Sequence, residues 1–158
     1  MTGVPVVTAG CVACDLASGA LPLPGGRIAE APGWVVEHCI GPLGVGTLVV
    51  KPVRHVVHLA DLDAAESAAL GPLLARTASA VTEAVRPDQV YACLWSHSGG
   101  EPVHIHFVVQ PVTKADMERT GTYGPDLQMT MFRDGTPPDP SAVEAVCDRV
   151  RAVMARTS

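Results

Sequence analysis

The sequence predicts an α+β fold: an antiparallel sheet of about five strands with two main helices. Three observations lead there. The 158 residues are 47% apolar, enough for one domain with a sizeable core. The hydrophobic period runs strands, helix, strands, helix, an order that packs helices on one face of a sheet. The connections between the first strands are too short for the helical crossovers that parallel pairing requires. Aromatic residues make up 4% of the chain, so the core must rely on Val, Leu and Ala.

Taken in order, residues 11–26 ("CVACDLASGALPLPGG") read as a Cys-x-x-Cys turn and a Gly/Pro-rich loop. Residues 27–30 ("RIAE") and 34–40 ("WVVEHCI") read as short strands, divided by the Pro32-Gly33 break. Residues 46–52 ("GTLVVKP") read as a third strand, buried on both faces. From Asp63 the period becomes helical through Leu70, Leu73, Leu74, Thr77, Val81 and Val85. Asp63 and Glu66 have the spacing of a capping box. Pro72 should kink this helix or mark its true start, and Pro87 ends it. Residues 89–96 ("QVYACLWS") and 103–110 ("VHIHFVVQ") are the fourth and fifth strands, joined by a glycine-rich turn. Residues 127–132 ("LQMTMF") are placed loosely, as a further strand. In the tail, Asp139 caps a helix with Pro140 in its first turn and Val143, Val146, Val150 and Val153 as its apolar stripe. The whole chain reads as one domain, with 1–25 a tethered N-terminal loop and 113–158 a C-terminal extension ending in a helix.

Composition excludes some functions. The net charge of −5 argues against a basic surface for a nucleic acid polymer. No apolar run of about 18 residues predicts a membrane span. The N-terminus lacks the basic segment and apolar core of a secretory signal. A cytoplasmic location is the resulting expectation. The five cysteines, Cys11, Cys14, Cys39, Cys93 and Cys147, then read as thiols or metal ligands rather than a disulfide framework. Cys39, Cys93 and Cys147 fit core positions.

The fifth strand poses the functional question. Alternate strand residues share a face, about 6.5–7 Å apart. His104, His106, Val108 and Gln110 therefore face one way, and Val103, Ile105, Phe107 and Val109 the other. The second set is core; the first has the mixed character of a cleft wall. A lone strand histidine is most often a half-exposed residue with one hydrogen bond. Here two more histidines, His55 and His58, follow the third strand, and Cys11 and Cys14 have the spacing of a thiolate pair. That pair alone fits a redox couple or two ordinary thiols. With two histidines from strand ends it can complete a Cys2His2 zinc site and pin the N-terminal turn to the sheet.

"KPVRHVVHLADL" followed by a helix, a strand and "HIHFVVQP" resembles the histidine-triad family over about residues 11–112. Proteins of that family are α+β domains, commonly homodimers, that bind nucleotides. Its enzymes attack a nucleotide α-phosphate with the middle triad histidine and pass through a nucleotidyl-histidine. The resemblance assigns that nucleophile to His106 and the first triad position to His104. In zinc-containing members it implies Cys11, Cys14, His55 and His104 as the metal ligands. Nucleotide sugars, dinucleoside polyphosphates and nucleoside phosphoramidates are the substrate classes it suggests.

The third triad position, His or Gln in the family, is Val108, which can neither donate a proton nor bond a phosphate. His97 is then either a substitute donor or a polar turn residue. Lys51 and Arg54 are candidates to meet phosphate charge, or solvated strand-end residues. Ser98, Gly99 and Gly100 offer backbone N–H groups to a phosphate, or form an ordinary tight turn. Gln110 shares the triad face but lies about 7 Å beyond Val108. His58 reads as a surface residue. The expectation is a zinc-containing nucleotidyl hydrolase or transferase acting through His106. Its alternatives are a lapsed domain that binds a nucleotide or partner without turnover, and an enzyme of different chemistry in the same cleft.

Overall fold

A computed structural model describes residues 7–97 and 100–157. Five strands form one antiparallel sheet: β1 (Arg27–Ala31), β2 (Trp34–His38), β3 (Leu48–Pro52), β4 (Gln89–Trp95) and β5 (His106–Val112). Their spatial order is β1-β2-β3-β5-β4. β1 pairs with β2, β2 with β3 and β4 with β5, all antiparallel. The crossing from β3 to β4 is made by the long helix, and β5 then inserts between them.

The helices are α1 (Val12–Ser18), α2 (Ala64–Val85), α3 (Lys114–Thr120), α4 (Gly124–Asp134) and α5 (Pro140–Arg156). The two main helices are α2 and α5. At the start of α2, Asp63 accepts the Glu66 N–H at 2.8 Å, and Glu66 accepts the Asp63 N–H at 2.9 Å. Pro72 lies inside the helix rather than at its start. It is exposed, so the Ala68 carbonyl that loses its intrahelical donor can turn to water. Asp139 caps α5 through the Ala142 N–H, and Val143, Val146, Val150 and Val153 are buried as the apolar stripe requires.

One sheet face carries the main core. Trp34, Val36, Leu48, Val50 and Val109 pack there against α2 and α5. Phe107 meets Trp34 edge-on, with ring centroids 6.1 Å apart. Each such large apolar side chain contributes about 1.5–3 kcal/mol on burial. Helix α5, at the end of the C-terminal extension, supplies Val146, Cys147 and Val150 to this cluster.

Three expectations change. Residues 127–132 are helical: Leu127 and Met131 pack on Val108 and Val112, while Met129 is 52% exposed. Helices therefore cover both sheet faces, α2 and α5 one of them and α4 part of the other. Residues 12–18 form a helix, so the N-terminal segment is not wholly loop. The ladder of β5 begins at His106, and just before it the Ile105 N–H donates to the Val56 carbonyl at 2.9 Å.

Candidate metal centre and adjoining cleft

Four side chains from three separate stretches converge beside the start of β5. Cys11 is the N-cap of α1 and Cys14 lies in its first turn, so the helix puts both sulfurs on one side. His55 follows β3, and His104 precedes β5 by two residues. One ligand atom from each lies within 4.8 Å of all the others. Cys14 Sγ is 3.4 Å from His55 Nδ1 and 3.6 Å from His104 Nδ1, and Cys11 Sγ is also 3.6 Å from His104 Nδ1. The two imidazole rings are perpendicular, 5.2 Å apart.

These distances suit a tetrahedral metal ion. Tetrahedral zinc, with Zn–S of ~2.3 Å and Zn–N of ~2.0–2.1 Å, separates sulfur and nitrogen ligands by about 3.6 Å. The donor set, two thiols and two imidazoles, is the one zinc takes in closed structural sites. The His104 ring is oriented from outside the cluster. Its Nε2 is 3.0 Å from the Pro52 carbonyl. A carbonyl accepts only, so Nε2 carries the proton and Nδ1 presents its lone pair toward the cysteines. Burial holds His104 neutral, with its pKa lowered to about 4. Burial also raises the Cys14 thiol, a preference that bound metal would reverse by stabilising thiolate.

A cleft of about 390 Å³ adjoins the cluster, on the part of the second sheet face that α4 leaves open. This is within the range of small-molecule sites, ~300–1,000 Å³. Val12 and Leu16 of α1 form one wall, Ile40 and Leu43 of the β2–β3 turn another, and Trp95 and Phe132 a third. His106 and Val108 lie along β5 in the floor. The His106 Nδ1 is 3.0 Å from the His104 carbonyl and so donates to it, which leaves the lone pair on Nε2. Burial first, and the neighbouring Lys51 charge after it, lowers the His106 pKa and favours neutral imidazole.

The remaining candidates separate. Lys51 lines the cleft, but its Nζ donates to Glu37 Oε2 at 2.5 Å, within a pair whose side chains are each 2% exposed. Gly100 lines the cleft at positive φ. Ser98 and Gly99 lie outside the described residues. Arg54 is turned away: its Nε and Nη2 donate to the two Glu66 oxygens at 2.7 and 2.6 Å, clamping the start of α2. Gln110 lies beneath α4, where its amide N–H donates to the Leu43 carbonyl and its Oε1 accepts from Gln128. It satisfies itself there and does not line the cleft. The His97 side chain is 72% exposed and lies 3.6 Å from Glu101, outside the cleft wall. His58 is exposed. Cys147 is buried in the main core, Cys39 lines the cleft, and Cys93 contacts Gln128. The sequence reading missed Glu37. Its signal was a lone carboxylate inside the apolar stretch "WVVEH", opposite a strand carrying Lys51.

No family model and no curated protein matches the chain. Solved structures do. A Hit-like protein involved in cell-cycle regulation from Bartonella henselae, with an unknown ligand, is 17% identical at a TM-score of 0.69, over 94% of this chain and 98% of that one. A zinc-bound histidine-triad family protein from Mycobacterium smegmatis is 25% identical at a TM-score of 0.67, over 94% and 95%. A hypothetical histidine-triad nucleotide-binding protein from Sulfolobus tokodaii is 16% identical at a TM-score of 0.69, over 92% and 93%. The chain therefore has the histidine-triad α+β fold, and its Cys2His2 cluster is compatible with zinc.

Proposed function

We propose that this protein binds a nucleotide in the cleft beside His106 and transfers or hydrolyses its nucleotidyl group. The observation that carries the reading is the pairing of jobs on one short stretch. His104 belongs to the Cys2His2 cluster, while His106, two residues on, lines the cleft with its Nδ1–H tied to a carbonyl. Zinc, when bound, supplies a structural clamp that joins α1 to the sheet.

The chemistry follows from the tautomer. His106 Nε2 attacks the α-phosphorus, forming a P–N bond as the bond to the leaving group breaks. Water or a second acceptor then attacks the phosphorus, and the imidazole leaves. The backbone around Gly100 is the candidate to stabilise charge developing on the phosphoryl oxygens. Val108 supplies no proton, so leaving groups that need little protonation are favoured. General-acid help is worth about 10²–10⁴ in rate, and a slow enzyme is expected without it.

A second reading has its own support. Val108 is 1% exposed in the third triad position, and His97 points to Glu101. A lapsed domain that binds a nucleotide without turnover accounts for both. Titration of ribonucleoside 5′-monophosphates, followed by turnover assays on phosphoramidate and polyphosphate substrates, separates the readings. Binding with turnover supports the enzyme, and binding without it the lapsed domain.

The resemblance also supports a homodimer in the cytoplasm. No helix among the described residues is long and apolar enough to cross a membrane. Light scattering that gives a monomer mass at micromolar concentration would overturn the dimer.

A further inference from the structure

The cleft floor holds a buried charged pair that the reaction above does not use. Glu37 is 2% exposed and Lys51 1%, and both line the cleft. Lys51 Nζ bonds Glu37 Oε2, while Glu37 Oε1 has no hydrogen-bond partner among the described residues. Strand register fixes its position. Glu37 pairs with Val49, and Val49 with Val108, so the carboxylate lies on the same rung and face as the third triad position. Lys51 is one rung further along that face, toward His106.

Two physical consequences follow. Lys51 is already neutralised by Glu37, so it gives a phosphate little net attraction. The demand left unmet is that of a buried carboxylate oxygen for a donor, and such an oxygen is costly to leave unpaired. An anionic ligand group would be repelled there; a neutral hydroxyl or N–H would be accepted.

We infer that Glu37 is a specificity-determining residue whose Oε1 accepts a hydrogen bond from a neutral O–H or N–H of the ligand, with Lys51 positioning the carboxylate. This rests on the reading that the cleft binds a nucleotide with its phosphorus at His106. Ribose hydroxyls and base N–H groups are the two sources of that donor. A site built around a buried acceptor discriminates against analogues that lack the donor, because the acceptor is then left unpaired.

The test uses the zinc-loaded full chain and calorimetric titration. The probes are the tightest-binding ribonucleoside 5′-monophosphate, its 2′,3′-dideoxy form, and an analogue lacking the base N–H hydrogens. One analogue should bind at least about tenfold more weakly, and which one identifies the source of the donor. In the double variant Glu37→Met with Lys51→Met, parent and analogue should bind alike. Buried ion pairs commonly tolerate such apolar replacement. Glu37→Gln, which keeps the shape of the side chain, should reduce the discrimination and serves where the double variant does not fold. Wild-type affinities within about twofold for all three probes would overturn the inference while the nucleotide reading stands. Undiminished discrimination in either variant would do the same. Failure of every nucleotide to bind would overturn both.

Discussion

The His106 Nδ1 lies 3.0 Å from the carbonyl oxygen of His104, so a backbone group of one cluster residue sets the tautomer of the neighbouring cleft residue. On the proposed reading, metal ligation and nucleophile orientation share one short segment. His106→Asn should remove turnover and any covalent nucleotidyl adduct. Zinc content and melting temperature should stay near wild type, because His106 is not in the cluster. Elemental analysis and thermal melts on the same preparation check this.

The cluster itself should hold one zinc per chain. Cys14→Ser should lower bound zinc to a substoichiometric level and lower the melting temperature, since metal binding is coupled to folding. Unchanged metal content in this variant would remove the site. Weakened nucleotide binding is a further expected outcome, because α1 carries both Cys14 and the cleft residue Leu16.

Arg54 should matter to stability and not to ligand affinity. Its two bonds to Glu66 hold a carboxylate that is nearly buried and also caps α2. Arg54→Ala should cost about 1–3 kcal/mol in denaturant unfolding, through the loss of charge-assisted hydrogen bonds. Nucleotide affinity should remain within about twofold of wild type.

His38 should make stability fall in acid. Its Nδ1 donates to the Cys39 carbonyl and its Nε2 accepts the Gly46 N–H at 2.8 Å, which requires a neutral ring. Burial lowers its pKa below 6.5 in the folded state. The folded protein then binds fewer protons at this site than the unfolded chain. The contribution is full above about 6.5 and is lost as pH falls through the lowered folded value. The melting temperature should drop as pH falls below about 6.5, and His38→Gln should shrink that drop.

Much of this was legible in the sequence because the signals were local. The Asp63–Glu66 cap and the valine stripe of α5 each need only a few residues, and the structure has both; the strand alternation read from His104 onward holds from His106, where β5 begins. The misreadings arose where distant contacts decide. Leu127, Met129 and Met131 mimic strand alternation, but packing on Val108 and Val112 buries the first and third as one helical face. Pro125, at the start of α4, was the local clue. Helix α1 is seven residues long, too short to announce itself by periodicity. Arg54 and Gln110 are polar and adjoin the motif, yet their partners, Glu66 and Gln128, come from α2 and α4. Glu37 and Lys51 are fourteen residues apart, and only the register of β2 on β3 joins them.

His106 is the attacking group of the proposed reaction, and intact-protein mass spectrometry after brief incubation with a nucleoside 5′-phosphoramidate can trap it there. Acid-labile mass equal to one nucleotidyl group, mapped to His106 and absent from His106→Asn, is the predicted result. A nucleotide that binds the cleft and turns over at the wild-type rate in His106→Asn would contradict it.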